Sequence, residues 1–262
     1  MSLKYEAACG SVIGKIRSRN EDNFYFDGHV LDDYPEQEAR EVLPPLFQTA
    51  MDGVHLYAVF DGMGGLDNGQ AASATAAASF KEDAERIKET LMLSETFFTH
   101  SVSHMNARVN SIARSLKQNM GTTIAAVGFL EGSIYVCNVG DTRVYRLRDR
   151  KLTQISMDHI AKVPPFLEGK RHSKPGLTQC IGISQDELLL EPYIVEGETH
   201  PDDVYLLCSD GLTDMVSDEE ILKLIHEDEQ VDNSVQSLID RAMERGGRDN
   251  TTLILVKIQK VF

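Results

Sequence analysis

A layered α+β domain is the fold class this sequence predicts, and the order of its segments carries the prediction. Strand-like stretches come first, two long helices follow, and a run of antiparallel hairpins comes after them. Glu131-Gly132 and Asp149-Arg150 supply hairpin turn signals between the strands of that run. The strict β-α-β alternation that builds a doubly wound parallel sheet is absent.

Residues 5–13 and 23–27 read as short strands. The polar, acidic, proline-containing stretch 28–54 reads as a long connection with a helical turn around 36–43. Residues 55–60 form a strand that ends at Asp61. A helix over 67–91 follows, capped by Asp67 or Asn68 and carrying the alanine-rich face AASATAAAS. A second helix covers 94–118. Its apolar residues Phe98, Val102, Met105, Val109, Ile112 and Leu116 are spaced alternately by four and three, which puts them on one buried face.

Strands are predicted over 122–130, 133–139, 142–148 and 151–155, then an irregular basic segment over 156–178. Strands return at 187–195 and 203–209. Ser217 with Glu220 makes a capping box that opens a helix, and another helix over 233–245 stops at Gly246-Gly247. The last strand covers 251–258. No linker and no internal repeat divides the chain, so 1–262 is expected to be a single domain.

With 42% apolar residues the chain can bury a sizeable core. Its 41 acidic against 26 basic residues give a net charge of −15, which argues against nucleic acid and anionic membranes as partners. Cys9, Cys137, Cys180 and Cys208 have no paired spacing and read as reduced thiols of a cytoplasmic protein. No apolar stretch reaches the roughly 20 residues needed to span a bilayer, and no amino-terminal signal peptide is evident. Monomer is the default expectation for the oligomeric state.

Four aspartates stand next to strand-like sequence, each beside Gly, Ser, Thr or Asn. They are Asp61 in VFDGMGG, Asp141 in NVGDTR, Asp210 in CSDGL and Asp249 in GGRDNTT, and an acidic cluster, RSRNEDNF, lies at 17–24. Carboxylates gathered on rigid strand ends would repel one another unless cations neutralised them. A donor set made only of oxygen favours Mg2+ or Mn2+ over zinc.

RSRNEDNF, VFDGMGG, MGTT (120–123), NVGDTR, SMDH (156–159), CSDGLTD (208–214) and GGRDNTT occur in the order found in the metal-dependent type 2C serine/threonine protein phosphatases. The chain resembles the bacterial members of that family from about residue 5 to 258. The resemblance implies a four-layer α-β-β-α sandwich, two mainly antiparallel sheets flanked by helix pairs, with a dinuclear metal site at one edge. It implies that Asp61 bridges two Mn2+ or Mg2+ ions and that Gly62 offers its carbonyl. Asp210 and Asp249 would complete the first metal, Glu21 would hold the second through water, and Asp22 would orient the attacking water. Asp141 with Asp210 resembles the pair that holds a third metal. Arg17 resembles the arginine that grips substrate phosphate, with Arg19 as its competitor by composition. The activity implied is hydrolysis of phosphoserine and phosphothreonine in proteins by direct attack of metal-activated water, on substrates of a cognate kinase.

Met63 stands where animal members carry a proton-donating histidine, and methionine is common there in bacterial members. His159, in the family's Asp-His motif, is expected to be structural. The segment 156–178 corresponds to a flap beside the site. It carries Lys162, Lys170, Arg171, His172 and Lys174, a basic patch suited to steering phosphopeptides.

Other motifs carry less. Cys137 and Arg143 have the spacing of cysteine-dependent phosphatases, but Cys137 sits in a strand pattern and Asp141 would repel phosphate. His100 and His104 lack the glutamate of a zinc-binding H-E-x-x-H. Gly62-Met63-Gly64-Gly65 lacks the lysine of a phosphate-binding loop. A catalytically inactive binding or scaffold module is the alternative from another class, and a small-molecule phosphatase is the alternative enzyme.

Overall fold

The computed structural model describes residues 3–33, 46–51, 53–64, 68–162, 176–183, 189–227 and 230–260. Two antiparallel sheets pack face to face. The first contains β1 (Leu3–Val12), β4 (Leu46–Ala50), β9 (Arg143–Arg148), β10 (Lys151–Gln154), β12 (Val204–Cys208) and β13 (Thr251–Lys260), in the order β10-β9-β12-β13-β1-β4. The second contains β2 (Asp22–Phe26), β3 (His29–Val30), β5 (His55–Gly64), β7 (Ile124–Leu130), β8 (Ser133–Val139) and β11 (Tyr193–Glu198), in the order β11-β8-β7-β5-β2-β3. A short β6 (Met120–Thr122) pairs with the far end of β5.

Helices α1 (Asn68–Thr90) and α2 (Glu95–Leu116) cover the second sheet. Helices α3 (Asp210–Thr213), α4 (Asp218–Glu227) and α5 (Val231–Glu244) cover the first. The result is the expected α-β-β-α sandwich. No helix among the described residues is long and apolar enough to cross a membrane.

The central strands read as unbroken apolar runs because both of their faces are buried. In β5, Leu56, Ala58 and Phe60 point to α1 and α2, while Tyr57 and Val59 point between the sheets. In β13, Leu253 and Leu255 face α4 and α5, while Ile254, Val256 and Ile258 face the other sheet. The inter-sheet layer is rich in rings. Phe129 lies 5.3 Å from Tyr5 and 5.4 Å from Tyr205, centroid to centroid. Those separations fall in the range where tilted aromatic pairs attract.

On α2, Phe98, Val102, Met105 and Val109 are buried as the spacing predicts, and Ile112 packs partly against them. Leu116 is 50% exposed, because the helix ends there and Lys117 turns left-handed at φ 53°. The Ser217 half of the capping box forms: the Glu220 amide donates to Ser217 Oγ, and Ser217 Oγ donates to the Glu220 carboxylate, both at 3.4 Å. Glu220 also accepts from Arg241 of α5 and from Arg245 just past its end, tying the two helices together. Both hairpin turns have positive φ at their two central residues, the primed geometry that matches strand twist.

Several elements differ from the sequence expectation. The connection 28–54 contains β3, a 3-10 turn over Leu31–Asp33, and β4, which pairs with β1 at the sheet edge. The helical turn expected at 36–43, the cap residue Asp67, and Lys170, Arg171, His172 and Lys174 lie outside the described residues. The strand expected at 122–130 breaks at Thr123 into β6 and β7. Of the strand expected at 187–195, residues 187 and 188 lie outside the described residues and the described part begins at Tyr193, since Pro192 has no N–H to give to the ladder. The strand expected to end at Asp61 runs on to Gly64.

Candidate active site

One edge of the sandwich collects the acidic residues singled out in the sequence. Asp22 opens β2 and stands directly across from Asp61 in the ladder. Asp61 lies where β5 changes partner, between its last pairing with β7 at Val59 and its first with β6 at Gly62. Its amide accepts support from Thr123 by donating to Oγ1 at 3.1 Å, and its carbonyl accepts from the Thr123 amide and from Thr122 Oγ1. Asp141 lies in the turn from β8 to β9, and Thr142 beside it shares a short hydrogen bond with Thr123. Asp210 follows β12 and opens α3, and Asp249 precedes β13.

Close backbone approach makes the gathering feasible. A Cβ on Gly62 would collide with the carbonyl oxygens of Gly69 and Glu21, and one on Gly211 would collide with that of Asn250. The Gly62 amide donates to the Glu21 carbonyl at 3.1 Å. The Glu21 carboxyl group lies over Gly69 in the first turn of α1, where unpaired helix amides favour negative charge.

A buried polar network supports the carboxylates from beneath. Ser209 Oγ donates to Asp22 Oδ2 at 2.8 Å and accepts from the Thr252 amide at 3.0 Å. Asn20 Nδ2 donates to Ser11 Oγ at 2.9 Å, and Ser11 shares a hydrogen with Thr252 at 2.7 Å. Asn250 clips the 13–21 segment to the start of β13. Its Nδ2 donates to the carbonyls of Ile13 (2.9 Å) and Arg19 (2.8 Å), and its Oδ1 accepts from the Glu21 amide (2.8 Å). Sequence reasoning passed over Asn250, Ser209 and Thr123. The signal was there in the small polar residues that flank each aspartate.

The electrostatics follow from crowding. Burial pushes the Asp22 carboxyl up to about 7; bonds from Ser209 and Thr252 pull it down, and Asp210 and Asp249 push it further up. Asp61 is raised well above the carboxylate range, first by burial and then by Asp22, Asp210, Asp141 and Asp249. Its residue surface is only half-buried, but the carboxyl group faces the other acids, and the crowding governs the direction. Arg17 brings a cation to these acids. Its Nη2 donates to Asp249 Oδ2 at 2.5 Å, and that bond raises the guanidinium above its ordinary value.

An all-oxygen set of crowded carboxylates fits hard divalent cations. The side chains are splayed as they stand, and among the described residues no three acidic, histidine or cysteine side chains are gathered closely enough to hold an ion. Asp22 is turned to Ser209, and Asp249 to Arg17 and the Asn250 amide.

The sequence profile of the protein phosphatase 2C family matches residues 28–251. The chain belongs to the protein phosphatase 2C family. Among its relatives, the serine/threonine phosphatase stp of Listeria monocytogenes is 29% identical over 258 residues, covering 93% of this chain and 92% of its own length. The serine/threonine protein phosphatase PstP of Mycobacterium tuberculosis is 34% identical over 214 residues, which span 79% of this chain but only 41% of PstP. The catalytic domain of PstP, solved in complex with two manganese ions, superposes with a TM-score of 0.75 at 26% identity, over 98% of this chain and 100% of that domain.

Within this protein phosphatase 2C chain the competing constellations fall away. Cys137 is fully buried in the core under α1 and α2, and burial raises its thiol, so no thiolate is available. Arg143 pairs with Asp158 through Nε and Nη2. His104 pairs with Asp83, which leaves no zinc pair with His100. His159 Nδ1 accepts from the Gly140 amide at 3.2 Å while the His159 amide donates to the Gly140 carbonyl at 2.9 Å, and burial lowers its pKa. That latch is the structural role expected of it.

Proposed function

We propose that this chain is a divalent-metal-dependent phosphatase acting on phosphoserine and phosphothreonine in proteins. One observation carries the reading: Asp22, Asp61, Asp141, Asp210 and Asp249 come to one edge of the sandwich, where burial and then the four other aspartates raise the Asp61 carboxyl. The relative crystallised with two manganese ions supports the same assignment.

Asp61, the Gly62 carbonyl, Asp210 and Asp249, with Glu21 and Asp22, would hold two Mn2+ or Mg2+ ions, and Asp141 with Asp210 would take a third. Bound there, such ions activate water and neutralise phosphate charge. The chain's own residues do the rest. Arg17 lies at the mouth of the site, 45% exposed along its side chain, where its planar fork can grip two phosphate oxygens. Asp22, anchored by Ser209, is placed to orient the attacking water. Met63 has no proton to give the departing alkoxide and His159 is latched to Gly140, so that proton is assigned to water.

Phosphoproteins of a cognate kinase are the substrates, and the chain acts as one catalytic domain and as a monomer. Four free cysteines fit a cytoplasmic setting. The test is hydrolysis of a phosphothreonine peptide by metal-stripped protein with and without Mn2+. Activity that returns only with the metal and survives thiol alkylation is the expected result. Inactivity with every divalent ion would leave a binding module instead.

A further inference from the structure

Beyond Gly62, β5 runs on to Met63 and Gly64, and these form one end of a cleft of about 860 Å³. The last turns of α2 and residues 180–183 make its other walls. The walls are fixed. Asn106 and Asn110 donate to the Ile183 carbonyl at 3.2 and 2.8 Å, and the Gly182 amide donates to Asn106 Oδ1 at 2.7 Å. Ile181 exchanges two backbone hydrogen bonds with Thr122, whose hydroxyl also donates to the Asp61 carbonyl. Cleft and carboxylate centre therefore share one rigid seam.

The charge of the cleft is opposite to that of the protein. In a chain of net charge −15, no Asp or Glu among the described residues lines it, while Arg114 and Lys117 do. Both are exposed, and neither forms an ion pair with a described residue. Arg114 Nε donates to the Asn110 carbonyl at 3.2 Å, which anchors its guanidinium at the rim. Gln118 and Asn119 add amide groups able to bond an extended backbone.

We propose that this cleft docks the acidic flank of the substrate: an extended peptide segment bearing Asp or Glu. The proposal rests on the phosphatase reading above. Gly64 lies three residues beyond Asp61, about 10 Å of extended strand, so the cleft receives substrate positions from about the third residue away from the phosphorylated one. Two exposed charge pairs give a preference of about fivefold to tenfold, weakened by salt because the Debye length is about 8 Å at physiological ionic strength.

The experiment compares kcat/KM of the Mn2+-loaded protein for phosphothreonine peptides whose third to fifth flanking residues are all Glu or all Lys. Wild type should favour the Glu flank on one side by about fivefold to tenfold. The ratio should fall to about one in R114Q/K117Q and invert in R114E/K117E. A wild-type ratio near one, or a ratio unmoved by both double variants, overturns the proposal. If no peptide is hydrolysed, the phosphatase reading fails by itself. The cleft is then judged by fluorescence anisotropy of the same peptides: Glu-flank binding lost in both variants sustains it, and equal binding in all three proteins refutes it.

Discussion

Asn250→Ala tests whether the buried clip, more than the carboxylates alone, builds this site. The wild-type side chain is 3% exposed and makes three hydrogen bonds of 2.8–2.9 Å, to the Ile13 and Arg19 carbonyls and from the Glu21 amide. Alanine leaves all three backbone groups without that partner. Each unmade buried bond costs about 1–3 kcal/mol, and water entering near the exposed Arg19 relieves part of it, so the net loss is about 3 kcal/mol. For a chain of this size that is about 6–12 °C in Tm. Urea unfolding of metal-free protein gives the stability, and Mn2+ titration gives the effect on Glu21 and Asp249, which the clip holds together. Asn250→Asp keeps the acceptor for the Glu21 amide but loses both donors and adds charge beside Asp249, so it should be as unstable as alanine in metal-free buffer. A loss below about 0.5 kcal/mol in Asn250→Ala, the size of an ordinary surface change, would refute the argument.

Other consequences can be checked alongside. Asp61→Asn should cut phosphopeptide turnover by about a thousandfold or more, yet raise the Tm of metal-free protein, because it removes a carboxylate that its neighbours destabilise. Asp22 titrates near 7 in the fold against 3.8 as an ordinary aspartate, so the folded state binds the extra proton between those values. Metal-free stability should therefore fall as pH rises from about 4 to 7, and saturating Mn2+ should flatten that slope in a series of thermal melts. Arg17→Ala should raise KM more than it lowers kcat in steady-state assays, since the guanidinium binds phosphate in the ground state. Cys137→Ala should keep full activity per folded molecule in a metal-dependent assay while lowering Tm, as expected of a core side chain.

Much of this was legible in the sequence, for reasons particular to each element. Strands such as β5 and β13 are buried on two faces, so their apolar runs stand out. The Ser217 half of the capping box and the two hairpin turns are local chemistry and fold as local chemistry predicts. The aspartates were visible because each interrupts an apolar run among small residues. What stayed hidden depends on distant partners. β4 borders β1 on one side alone and alternates between half-buried and exposed residues, a weak pattern for a five-residue edge strand. The break at Thr123 exists because Asp61 and Thr142 claim its amide and hydroxyl from across the sheet. Asn250 reads as a turn residue until Ile13, Arg19 and Glu21, more than 200 positions earlier, arrive beside it. Arg17 could be picked from its spacing to Glu21, but its bond to Asp249 could not.

The seam between the two sheets has a mechanical consequence. Glu21, Asp22 and Asp61 ride on one layer, and Asp210 and Asp249 on the other, with the Ser209–Asp22 and Asn250–Glu21 bonds as the stitches between them. Sliding one layer past the other by a single residue would shift these groups by about 3.3 Å, more than a hydrogen bond tolerates. Chemistry at this edge is therefore a gauge of alignment across the whole sandwich. A mutation deep in the aromatic layer, at Phe129 or Tyr205, should be felt at the carboxylates without touching any of them.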